Sequence, residues 1–125
     1  MSGYAITNIG GFLVFAWGVA HLVPTAKVVN GFGEISPDNR RTITMEWIVE
    51  GIALIFLGIL VCFVTYADRT SDVSRGIYWL VFGCLNVLSM VSLFTGFRNA
   101  LVPFKLCPFI FTGSSALIIF GSYLP

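Results

Sequence analysis

Charge is what this sequence has least of. Only 10% of its 125 residues are Asp, Glu, Lys or Arg, while 57% are hydrophobic. A soluble domain of this size keeps much of its surface in water and could not hide so much apolar area. The net charge is +1, so no basic field is present to attract nucleic acid. Cysteine is sparse and badly placed for metal or disulfide chemistry. Cys62, Cys84 and Cys107 fall in apolar runs without metal-ligand spacing, and an odd count there reads as packing thiols. There is no phosphate-binding glycine loop, nucleophile elbow or Cys-x-x-Cys pair, which withdraws support from several enzyme classes. The Gly10-Gly11 pair is helix-packing material. A cleaved signal is not expected, because Met1-Ser2-Gly3-Tyr4 has no basic side chain and the first apolar stretch exceeds a signal core.

What is abundant is apolar length. A membrane-crossing helix needs about 20 mostly apolar residues. Four stretches qualify, at about 5–23, 43–67, 76–97 and 106–124, and few residues remain outside them. The chain therefore reads as one transmembrane domain over 1–125, an all-α, up-and-down four-helix bundle. Asp68-Arg69-Thr70-Ser71-Asp72 is a short polar turn in which Thr70 or Ser71 can cap the third helix. Ser36-Pro37-Asp38 is a helix start: a capping hydroxyl, a proline at the first helical position and an acid facing the positive helix end. The second helix can thus begin at Pro37, still in water. Asn30-Gly31 resembles a helix stop, so the first helix is expected to continue past Pro24 with a kink. The kink would free the carbonyl of Ala20, beside His21. Pro103 and Pro108 lie near the start of the fourth helix, where proline is tolerated.

Basic residues set the orientation. Lys27, Arg40, Arg41, Arg98 and Lys105 flank one side and Arg69 and Arg75 the other, which puts the first group in the cytoplasm and both termini outside. Trp47, Tyr66, Tyr78, Trp79 and Tyr123 fall toward span ends, as interfacial aromatics do. Between helices in lipid, small residues mark close contacts. The expected inward seams are Gly11, Val14, Gly18 and His21 on the first helix, and Trp47, Glu50, Gly51, Leu54 and Gly58 on the second. On the third they are Trp79, Gly83, Asn86 and Met90, and on the fourth Thr112, Gly113, Ser115 and Gly121.

Two ionisable groups interrupt the apolar seams, His21 and Glu50. Such residues cost about 2.5–3.5 kcal/mol or more to bury in hydrocarbon, and they default to a functional hypothesis. A carboxyl group held near a cation in that setting can exchange protons or contact a polar headgroup. The candidate chemical pair is His21 and Glu50, with Trp17, Glu46, Trp47, Asn86 and Arg98 as candidate ligand contacts. Arg98 is the nearest candidate counter-charge, and Asn86 sits deeper, near the midplane. The plainer reading is a hydrogen-bonded pair that only fixes helix register, with Asn86 as interhelical glue and Glu46 paired to Arg40 or Arg41. A metal site from His21, Glu46 and Glu50 lacks the Glu-x-x-His motif of di-iron bundles, and no metal is assigned.

Trp17-Gly18-Val19-Ala20-His21, closing the first helix, and Glu46-Trp47-Ile48-Val49-Glu50-Gly51, opening the second, resemble the DoxX-like family of small bacterial membrane proteins. The resemblance implies a four-helix bundle in a bacterial inner membrane. Some members of that family are subunits of thiosulfate:quinone oxidoreductases or support other redox systems. No catalytic residue is carried over from it, and the cofactor is left open. The leading expectation is an intramembrane polar pocket, centred on His21 and Glu50, that binds a quinone or lipid-like molecule or relays protons. Such a chain could serve as the membrane subunit of a redox partner. The alternatives are a homodimeric proton-coupled transporter and a purely structural subunit.

Overall fold

The computed structural model describes residues 1–98 and 102–125. The helices are α1 (Gly3–Leu22), α2 (Thr25–Asn30), α3 (Pro37–Asp68), α4 (Asp72–Val91) and α5 (Val102–Tyr123), and a π-helical turn, Ser92–Gly96, extends α4. The end of the last connection, including Asn99, lies outside the described residues. No strand occurs among the described residues. Among the described residues, four helices are long and apolar enough to cross a membrane: Gly3–Leu22, Pro37–Asp68, Asp72–Gly96 and Phe104–Tyr123. At 1.5 Å per residue the 32 residues of α3 span about 48 Å, well beyond a hydrocarbon core of about 30 Å.

The helix starts follow the capping chemistry in the sequence. Ser36 Oγ accepts from Asn39 N and Pro37 is the first helical residue, while Ser71 Oγ accepts from Ser74 N. Pro24 has no N–H to donate, so α1 closes at Leu22 and the short α2 resumes after the proline. Asn30 does end that helix, although Gly31 keeps a right-handed conformation; the left-handed residue of this connection is Gly33, at φ +74°. The free acceptor beside His21 that is put to use is the carbonyl of His21 itself, which accepts from Trp47 Nε1 at 2.6 Å.

The closest packing is between α1 and α3, which run antiparallel in register through glycines. A Cβ on Gly58 would meet Phe15 N at 2.5 Å and Gly11 O at 2.7 Å; one on Gly18 would meet Ile55 N at 2.7 Å and Gly51 O at 2.8 Å. These backbones approach because side chains are missing there, the usual device where lipid supplies no hydrophobic force between helices. A neighbouring face of α1 meets α5 in the same way, with Gly10 against Ile118 and Gly121 against Thr7. Helix α5 then packs on α4 through hydroxyls. Ser89 Oγ donates to Pro108 O at 3.0 Å and lies 2.9 Å from Thr112 Oγ1, while Asn86 Nδ2 donates to Ser115 Oγ at 3.1 Å.

Helices α3 and α4 touch only sparsely. The side-chain bonds joining them lie beside their connecting turn, where Thr65 and Tyr78 share a 2.9 Å hydroxyl contact and Ser74 Oγ reaches Val64 O. That end also holds both termini: Gly3 N donates to Pro125 O, and Arg69 Nη1 donates to the carbonyls of Gly121 and Leu124. At the opposite end, marked by α2 and the start of α3, the two helices leave a gap.

Three sequence expectations are corrected here. The stripe Trp79, Gly83 and Met90 on α4 faces outward: all three are exposed, and a Cβ on Gly83 would meet nothing within 4 Å. The inward face of α4 is instead Tyr78, Val81, Leu85 and Ser89. On α5, Ser115 and Gly121 are buried as expected, whereas Thr112 and Gly113 are exposed. The small-residue rule fails on α4 because this helix is held by side-chain contacts and hydroxyl bonds, which need no backbone approach. Nor are all the aromatics peripheral. Tyr66, Trp79 and Tyr123 are exposed, with Trp79 Nε1 donating to Tyr123 Oη, but Trp47 and Tyr78 are buried.

Candidate functional site

His21 stands in the last turn of α1, where Pro24 ends the helix. The break leaves the His21 carbonyl for the Trp47 indole, and the same indole stacks on the imidazole, with ring centroids 3.8 Å apart and planes within 14°. Phe104 of α5 also contacts Trp47, in an edge-to-face arrangement with ring centroids 5.4 Å apart. Trp47 therefore holds both the backbone and the ring of His21, and its own position is fixed from α5. One turn further along α3, Glu50 brings Oε2 to 3.4 Å from His21 Nε2. The approach is off-line: Nε2 is buried and makes no hydrogen bond. The imidazole side chain is 4% exposed and the carboxylate 39%, so the pair bridges the interior and the surface.

An unsatisfied polar atom inside a protein costs about 1–3 kcal/mol, and one that persists in a native fold calls for a reason. At His21 the reason is next to it. A cavity of about 290 Å³ lies against His21 and Glu50, walled by Leu88 and Val91 of α4, Ser92, Thr95 and Gly96 of the π-turn, and Phe104 and Cys107 of α5. The π-helical turn matters for this shape. An inserted residue widens a helix locally, and such bulges recur at functional sites. Here it lies along the wall facing Glu50, with Thr95 Oγ1 returned to the carbonyl of Val91.

The cavity continues sideways. A groove of about 460 Å³ shares Phe32, Glu50, Leu88 and Phe104 with it and runs along Ile43, Val49, Ala53 and Leu54 on α3, with Glu46 at its margin. The two together occupy the gap between α3 and α4. Behind the His21–Trp47 stack lies a third space of about 330 Å³, lined by Trp17, Pro24 and Leu106.

No family model, curated protein or solved structure matches this chain.

Of the residues singled out in the sequence, His21, Trp47 and Glu50 meet at one point, Glu46 lines the groove and Trp17 lies behind the stack. Asn86 is elsewhere, bonded to Phe82 O and Ser115 Oγ in the α4–α5 interface. Arg98 is exposed, and among the described residues the ion pairs are His21–Glu50 and Arg41–Asp38, so Arg98 supplies no counter-charge. Glu46 is not paired with Arg40 or Arg41, which instead bond Asn30 and Asp38. No group of three metal-type side chains gathers among the described residues.

The sequence reading missed Ser92, Thr95, Gly96 and Phe104. A depth argument could have found the first three, since they lie at the same end of the third span as His21 does of the first. Together the site offers two convergent polar groups at the inner end of an apolar cleft. That arrangement can hold a polar head with its tail in the groove, and can pass a proton between imidazole and carboxylate.

Proposed function

We propose that the chain is a multi-pass protein of a bacterial-type inner membrane, with its five-base end in the cytoplasm and both termini outside. Within the bilayer it binds a small amphipathic molecule, whose polar head lies against His21 and Glu50 and whose tail lies between α3 and α4. The observation that carries this reading is a cavity of about 290 Å³ lined by both Glu50 and the buried His21, whose Nε2 makes no hydrogen bond. Apolar clefts with a few convergent polar groups are the common form of small-molecule sites. The sequence resemblance to DoxX-like proteins would, if it holds for function, place a redox partner beside it.

A second reading is favoured by the 3.4 Å contact between a buried imidazole and a half-exposed carboxylate. Such a pair can move a proton between the bound head and the surface, which makes relay a property of the same site. Glu50→Gln keeps the shape of the side chain and removes its charge. It is expected to weaken binding of the co-purifying amphipath at least tenfold, with the helical circular dichroism unchanged. Unaltered binding in that variant would remove Glu50 from the site.

A further inference from the structure

We infer that the head group this site selects is cationic, an alkylammonium type, rather than neutral or anionic. The inference rests on the reading of the α3–α4 cleft as a binding site and adds its charge. Glu50 lies in both the cavity and the groove, and Glu46 lies at the groove margin. Among the described residues no lysine or arginine lines either space: Lys27, Arg41, Arg98 and Lys105 are exposed, and Arg40 is turned to Asn30 Oδ1 at 2.7 Å. A carboxylate or phosphate head would therefore meet two acids and no base in a poorly solvated cleft, where like charges are least screened.

Aromatic rings supply the second half of the argument. Phe32 and Phe104 line both spaces, and Trp47 lines the groove with its ring already engaged by His21. Ring faces attract cations, and aromatic side chains recur in sites that recognise substituted ammonium groups. The independent pointer to a ligand is His21, 6% exposed, a buried side chain that lines the cavity and whose Nε2 makes no hydrogen bond. Glu50 Oε2, 3.4 Å from His21 Nε2 on the more exposed side of the pair, is the acceptor that an N–H-bearing cation would meet. The alkyl chain then follows Ala53 and Leu54 along the groove.

The test uses three probes of one chain length: decylammonium, decanol and decanoate. Each is titrated calorimetrically into the full chain in zwitterionic nanodiscs, with empty nanodiscs subtracted. Decylammonium is expected to bind at least tenfold tighter than decanol, with no saturable binding of decanoate. In Glu50→Gln the preference for the amine is expected to vanish while decanol binding persists. Equal affinity for decanol, or tighter binding of decanoate, would overturn the cationic head and leave the cleft as a binding site. Heats no larger than those of empty nanodiscs for all three would overturn both. The wild-type series decides the matter even where the variant does not fold.

Discussion

Gly58→Leu is expected to break the bundle, at a cost above about 3 kcal/mol, seen as loss of the folded transition in a denaturing-detergent titration. Overpacking in a well-packed core typically costs about 1–3 kcal/mol because neighbouring side chains give way. At Gly58 the obstruction is main chain: Phe15 N at 2.5 Å and Gly11 O at 2.7 Å. Nothing there can rotate aside, so α1 and α3 must separate along their whole contact. Gly83→Leu is the matched control. Its Cβ points into open space, and the change should stay within about 0.5 kcal/mol of wild type. If both variants behave alike, the assignment of which helix faces meet is wrong.

His21→Leu should separate function from architecture. Leucine keeps apolar contact with the Trp47 ring, and the indole hydrogen bond survives because it goes to the backbone carbonyl of residue 21. The substitution also deletes a buried nitrogen that has no hydrogen-bond partner. Replacing a poorly satisfied polar group by an apolar one of similar size is often neutral or stabilising. Unfolding free energy is therefore expected to stay level or rise by about 1 kcal/mol, while ligand binding falls at least tenfold. A loss of stability beyond about 2 kcal/mol with binding intact would show instead that the His21–Glu50 pair holds the helices together.

The sequence made the α1–α3 half of this structure readable. Gly11 and Gly18 on one helix, and Gly51 and Gly58 on the next, repeat at seven-residue intervals and mark backbones that must touch. His21 and Glu50 follow from the same seams. Helix α4 was not readable in this way. Both of its glycines, Gly76 and Gly83, face open space, so small size gives no inward direction on this helix. The inward residues Tyr78, Val81, Leu85 and Ser89 have helical spacing, and polarity is distributed more unevenly around α4 than around the other long helices.

The cleft itself was beyond the sequence because it depends on what fails to pack. The gap between α3 and α4 exists because each of them packs elsewhere, α3 on α1 and α4 on α5. The π-turn at Ser92–Gly96 has no composition signal of its own. Proline chemistry was only partly legible. Pro24 was expected to free a carbonyl near His21, but which carbonyl is used depends on Trp47 arriving from another helix.

Native mass spectrometry of gently extracted protein addresses the cleft most directly. The expected wild-type spectrum shows one small amphipathic molecule retained per chain, lost on activation, and missing from His21→Leu prepared identically. Wild-type protein carrying no adduct, or an adduct that persists equally in His21→Leu, would contradict an intramembrane ligand site at His21 and Glu50.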